Sequence, residues 1–278
     1  MVKGQEKRSK CDLKYPILFV HGMGFRDHKH LGYWGRIPKI FEQAGCRVFF
    51  GNQDSNASIE TNGEHIARRI DEIIAQTGAE KINIIAHSKG GLDSRYAISV
   101  LGKGDKVASL TTLSTPHHGS KTVDLLMIFP DFLVKFCCFF VNVWFRMIGD
   151  KKPDTYSAIH SFTTESAKRF NKQTPDHEGI YYQSYAFVMK KATSDIFMWF
   201  TNLVVFAIEG ENDGLLTPSS AKWGDFKGIY RGVTNRGISH CDEVDMRRRR
   251  LSKKVGDGVS DIVDVYKTIL CDLQEKGF

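Results

Sequence analysis

Three short stretches carry residue types able to break an ester bond. In IIAHSKGGL, residues 84–92, an apolar run ends on His87 and Ser88 and passes into Lys89, Gly90 and Gly91. A strand entering a tight turn and then a helix is the setting of a nucleophile elbow, where strained backbone lifts a serine hydroxyl clear of its surroundings. The positions two before and two after the serine must be small because strand and helix cross there; here they are Ala86 and Gly90. A helix starting just past Ser88 also turns its positive end toward negative charge developing at the site.

A serine hydroxyl needs a base, and the base needs a group that orients it. EGENDGLLTP offers Asp213 and RGISHCDEVD offers His240, the only histidine after Asp213. Asp-Gly is also ordinary turn chemistry. Glu209 and Glu211 are rival acids, but Asp213 alone lies inside the Asn-Asp-Gly turn. Acyl transfer passes through a tetrahedral oxyanion that needs two converging backbone N–H donors. Lys89, the residue after the serine, is one expected donor. Met23, in the FVHGMG loop, is the other, with Gly22 and Gly24 letting that backbone approach closely.

The elements that must position these residues alternate through the first 115 or so positions. YPILFV, CRVFFGN, KINIIAH and VASLTTL read as strands, separated by helical patterns around 38–44, 59–77 and 92–101, with Gly78 as a C-cap. Such alternation predicts an α/β chain with a mostly parallel sheet and helices on both faces. The rhythm breaks from Ser120 to about His177 and resumes at GIYYQSYAFV. The chain closes on an amphipathic helix with Ile262, Val263, Tyr266, Ile269 and Leu270 on one face. The expected organisation is one domain over 1–278 with an inserted segment at about 120–178.

Length and composition agree: 278 residues, 41% hydrophobic and 26% charged, without repeats. The net charge of +7 favours anionic surfaces. Nucleic acid is not expected as a partner, since the aromatics sit in apolar runs and not among Lys and Arg. Six cysteines (Cys11, Cys46, Cys137, Cys138, Cys241, Cys271) show no metal or C-x-x-C spacing and read as reduced thiols. The charged MVKGQEKRSK start has no secretory pattern, so a cytoplasmic location, or export by a route not displayed, is expected.

YPILFVHGMG, AHSKGGLDSRY, STPHHGS, ENDGLLTPSSAKWG and ISHCDEVD, in that order, resemble the bacterial true lipases, the triacylglycerol lipases of the pseudomonad and Proteus type. The resemblance runs from about Tyr15 to Asp245. It implies an α/β-hydrolase fold, hydrolysis of long-chain acylglycerols and a helical lid. Matched motif by motif, Ser88 is the nucleophile, Asp213 the acid and His240 the base, in the order expected of that fold, and Met23 and Lys89 are the oxyanion positions. No cofactor is implied for the chemistry. A short-chain carboxylesterase and a non-catalytic lipid-binding protein are the alternatives, and the oligomeric state is open. The resemblance also implies a structural calcium ion near the histidine, with Asp242 as one carboxylate and Asp195 as the other. Where the family has a glutamine four residues after the second aspartate, this chain has Met246, followed by Arg247 to Arg250, so Asp195 and Asp242 could instead be pinned by arginine.

Two further stretches bear on the substrate. In DLLMIFPDFLVKFCCFFVNVWFRMIGD, residues 124–150, Asp131, Lys135, Asn142 and Arg146 fall within an arc of roughly 60° at ~100° per residue, and the rest of the wheel is apolar. From Phe132 to Ile148 the helix is roughly 25 Å long against a hydrocarbon core of about 30 Å. With its charges it reads poorly as a span. A core helix is possible. The favoured reading is a lid whose apolar face covers the acyl cleft in water and meets lipid at an oil–water or membrane interface. RRRRLSKK reads as a solvated face, or as attraction to anionic lipid worth about 1 kcal/mol per basic residue near the surface.

Overall fold

The computed structural model describes residues 13–27 and 32–278; Cys11 and the charged start lie outside the described residues. Among the described residues six strands, all parallel, form one sheet: β1 (Ile17–Val20), β2 (Val48–Phe50), β3 (Ile82–His87), β4 (Val107–Leu113), β5 (Tyr181–Phe187) and β6 (Asp225–Tyr230), in the order β2-β1-β3-β4-β5-β6. Parallel neighbours need crossovers, and α1 (Ile37–Gln43), α2 (Ile59–Thr77) and α3 (Lys89–Ser99) supply the first three. The chain steps from β1 outward to β2 and then back past β1 to β3. That reversal opens a crevice at the carboxyl ends of β1 and β3, where open α/β sheets place their ligands.

Alternation along the strands distributes the core. Ile17 and Phe19 pack toward α1 and the last helix, α10 (Ile262–Glu275), while Leu18 and Val20 pack toward α2 and α3. Ser58 caps α2 by accepting from the Thr61 N–H, and Gly78 ends it in a left-handed conformation, as its position predicts. On α10 the buried face holds Ile262, Val265, Tyr266, Ile269, Leu270 and Leu273. Val263 is only half-buried, so the core-facing arc is rotated slightly from the one read in the sequence.

Between β4 and β5 lie four helices: α4 (Lys121–Leu126), α5 (Asp131–Met147), α6 (Thr155–His160) and α7 (Thr164–Gln173). They occupy the stretch where the strand–helix rhythm fails. The apolar segment ahead of Asp213 is also a helix, α8 (Trp199–Glu209), which packs beside α4. A short helix, α9 (Pro218–Ala221), precedes β6.

Candidate active site

β3 delivers Ser88 to the crevice. Its φ of 53° lies in the left-handed region, which costs a non-glycine residue of order 1–3 kcal/mol. The surroundings impose it: the Ser88 N–H donates to the Leu113 carbonyl at 2.9 Å and the Ser88 carbonyl accepts from Thr115 Oγ1 at 2.8 Å. A Cβ at Gly90 would collide with the carbonyl oxygens of Val20 and His21, and one at Gly22 would press on Ser88 Cβ. Both glycines are therefore required by the close approach of α3 and the β1 loop to the serine.

Asp213 and His240 meet behind that loop. The His240 N–H donates to the Asp213 carbonyl at 2.8 Å, and His240 Nδ1 donates to Asp213 Oδ2 at 2.8 Å. Asp213 Oδ1 accepts from the N–H groups of Leu215 and Leu216 at 2.9 and 2.8 Å, the closed turn that an Asn-Asp-Gly sequence favours. Burial alone would raise this carboxyl. Its pairing with His240, hydrogen bonds from His240 and Glu243, and the Leu216 N–H outweigh burial and hold it well below the usual carboxylate range. With Nδ1 engaged, Nε2 is the remaining basic nitrogen. His240 and Ser88 line one cavity of about 330 Å³, walled by apolar groups including Phe25, Val123, Ile159, Phe162 and Met198. The rival acids have other duties. Glu209 accepts from Ser120 Oγ, Thr122 N and Thr122 Oγ1, tying α8 to the start of α4, and Glu211 pairs with Arg231.

Behind the histidine lies a polar layer that motif reading missed. Glu243 is fully buried and pushed well above the usual carboxyl range, by burial first and then by the charge of Asp213. That shift favours its protonated form, which suits a carboxyl set against the Asp213 carboxylate. Ser114 Oγ donates to its Oε1 at 2.9 Å, and His87 Nε2 donates to Oε2 at 3.1 Å. His87 is pushed well below the usual imidazole range, by burial and then by His240, so that contact joins two neutral groups. The Tyr33 hydroxyl donates to His87 Nδ1 at 2.7 Å and accepts from the Gly22 N–H at 3.1 Å. The chain of bonds runs from the β1 loop to the acid. His87 precedes Ser88 and Glu243 follows His240 by three, but only burial distinguishes them from surface residues.

Met23 forms part of the cavity wall. Lys89 sends its side chain away into the core, where Nζ bonds Asp93 Oδ1 at 2.6 Å and Asn62 braces Asp93 at 3.1 Å. As the first residue of α3, Lys89 has a backbone N–H that the helix itself does not use.

Asp195 and Asp242 come together beside His240, as the resemblance implies, but arginine reaches both. Arg247 Nη2 lies 3.0 Å from Asp195 Oδ2 and its Nε 3.3 Å from Asp242 Oδ1. Arg236 Nη2 contacts both Asp242 oxygens at 2.9 and 2.7 Å. Calcium takes six to eight oxygen ligands. Here the carboxylate oxygens already accept from N–H and O–H donors, and Met246 offers no oxygen, so these residues do not fit the ion.

Two helices, α5 and α8, present apolar side chains to solvent. Of the 17 residues of α5 only Cys138 is buried. The middle of the polar stripe packs on α6: Asn142 Oδ1 accepts from the Thr155 N–H at 2.8 Å, and Lys135, though exposed, sits over the Tyr156 ring at 4.7 Å, while Asp131 and Arg146 stay at the surface. The apolar side faces solvent, with Trp144 60% and Met147 77% exposed. On α8, Phe200, Leu203 and Phe206 are exposed as well. α5 is therefore not a core helix, and no residue of it lines the cavity that holds Ser88. Among the described residues no helix is long and apolar enough to cross a membrane. The basic run divides: Arg247 joins the carboxylates and Arg250 reaches Ser260, while Arg248 and Arg249 lie at the surface.

The sequence profile of the alpha/beta hydrolase fold family matches residues 15–197. Triacylglycerol lipase 2 of Saccharomyces cerevisiae is 28% identical, covering 99% of this chain and 80% of the yeast protein. A triacylglycerol lipase of Vibrio cholerae is 28% identical over 84% of this chain and 80% of its own length. Among solved structures, the mature lipase BlEst2 of Bacillus licheniformis superposes with a TM-score of 0.68 over 97% of this chain and 95% of its own, at 22% identity.

Proposed function

The chain belongs to the α/β-hydrolase fold family, and on that premise we propose that it is a lipase, cleaving acylglycerol esters through an acyl-serine intermediate. Ser88 Oγ attacks the ester carbonyl carbon while His240 Nε2 takes its proton. Asp213 orients the imidazole and balances its positive charge. The N–H groups of Met23 and Lys89 hold the oxyanion. Collapse breaks the acyl–oxygen bond, His240 returns the proton to the departing alcohol, and water repeats the cycle to free the fatty acid. No step calls for a cofactor.

The observation carrying this reading is the 2.8 Å Asp213–His240 bond beside Ser88 in one apolar cavity. The yeast and Vibrio relatives, by name triacylglycerol lipases, support the substrate class. Residues 120–178 are an insertion within one domain, and α5 is its lid, held aside with its apolar face ready for an oil–water or membrane interface. The exposed aromatics of α5 and α8 support that arrangement, since large exposed apolar patches on soluble chains mark contact surfaces. The test is a series of p-nitrophenyl esters from C2 to C16. Turnover extending to the long chains is expected, and activity confined to the shortest would make the protein a small-ester esterase.

A further inference from the structure

We propose that a pair of guanidinium groups replaces a structural cation in this chain: Arg247, backed by Arg236, cross-links Asp195 to Asp242 and thereby fixes the loop that carries His240. Each carboxylate oxygen is already served. Asp195 Oδ1 accepts from the Phe197 N–H at 2.9 Å, and Oδ2 accepts from Ser239 Oγ at 2.6 Å and Arg247 Nη2 at 3.0 Å. Asp242 Oδ1 faces Arg236 Nη2 and Arg247 Nε, and Oδ2 accepts from Arg236 Nη2 and, at 3.2 Å, from the Ser239 N–H. Two carboxylates and two guanidiniums leave no net negative charge to draw a divalent ion. Asp245, a further carboxylate on this loop, is committed elsewhere: Arg36 holds both of its oxygens at 2.8 Å.

The cross-link reaches the base through the chain. Ser239 and Asp242 bracket His240, and both are tied into the cluster, so the imidazole approaches Asp213 from a loop with little freedom. A planar guanidinium suits the task because its donors sit in a rigid fork that spans two carboxylates, which a lysine cannot do. Arg247 touches no reacting atom and acts as a positioning residue. Its effect on turnover rests on the proposed triad, whereas its effect on melting temperature and cation response does not, so the two readings fail separately.

The test uses the full chain and a soluble short-chain ester, with melting temperature measured in parallel. Wild type should show the same melting temperature and turnover with EDTA or with millimolar calcium. Arg247→Ala should lower the melting temperature and reduce kcat about tenfold with KM little changed, the pattern of a displaced catalytic group. Guanidinium ion at low millimolar concentration should restore more of that turnover than sodium at equal ionic strength. Arg247→Lys should fall between the two. Chelation that lowers wild-type melting temperature, calcium that raises it, or guanidinium no better than sodium would each overturn the clamp. Should Arg247→Ala not yield folded protein, the wild-type cation response and the Arg247→Lys variant decide, and wild-type behaviour of the lysine variant would overturn it.

Discussion

Beneath the cleft, Glu243, His87, Tyr33 and Ser114 are polar groups buried and bonded to one another; beside it, α5 and α8 hold Phe139, Phe140, Trp144, Phe200 and Phe206 out to solvent. Each region departs from ordinary burial, in opposite directions. Buried polar groups cost stability unless every partner is supplied, and exposed aromatics invite association. The floor meets its cost with a continuous network that ends on the acid. The rim leaves its apolar surface uncovered, which suits a substrate that is itself an apolar phase. The floor should therefore govern the rate on every ester, and the rim should govern only access to aggregated lipid.

The sharpest break of the floor is Asp213→Asn. It leaves the shape but removes the charge that supports the imidazolium, and kcat should fall about 10⁴-fold on soluble and emulsified esters alike. A loss confined to emulsions would contradict the division. Polar replacement of Phe139, Phe140 and Trp144 together attacks the rim. Because ~1.4 kcal/mol of lost insertion is a tenfold change, activity on emulsified long-chain lipid should drop tenfold or more while hydrolysis of a soluble butyrate ester stays within twofold or so. Equal losses on both would make α5 part of the catalytic body.

The smallest effects concern how the floor titrates. Glu243 has its folded pKa above its unfolded value near 4.3. Its stabilisation is therefore complete below about pH 4.3 and is lost as pH rises toward the folded pKa. Glu243→Gln keeps a donor toward Asp213 and removes the titration. Its melting temperature should fall less than that of wild type between about pH 5 and pH 9, with turnover retained within a few-fold. A steeper fall in the variant would mean that Glu243 is ionised in the folded protein.

Much of this was legible in the residues because it is local. The parallel sheet follows from alternating apolar runs, the elbow from Ala86 through Gly90, and the acid from its turn. The second layer was hidden because its meaning lies in burial: a glutamate in CDEVD looks like any surface acid until α10 covers it, with the Tyr266 hydroxyl donating to the Glu243 carbonyl at 2.9 Å. Periodicity located the polar stripe of α5 but not its direction. Polar stripes usually face water, and here Asn142 is taken up by α6 while Asp131, Lys135 and Arg146 stay exposed. α8 covers a short apolar run, which by itself does not distinguish helix from strand. The arginine run was visible, yet its division between a half-buried cross-link and a solvated face depends on which carboxylates lie within reach.

Acylation of Ser88 is the step on which the whole cycle depends, and covalent trapping reads it out. Native protein treated with a fluorophosphonate, then digested and mapped by mass spectrometry, should carry one adduct, on the peptide containing Ser88, and Ser88→Ala should carry none. An unlabelled wild type, or an adduct that persists in Ser88→Ala, would rule out Ser88 as the nucleophile.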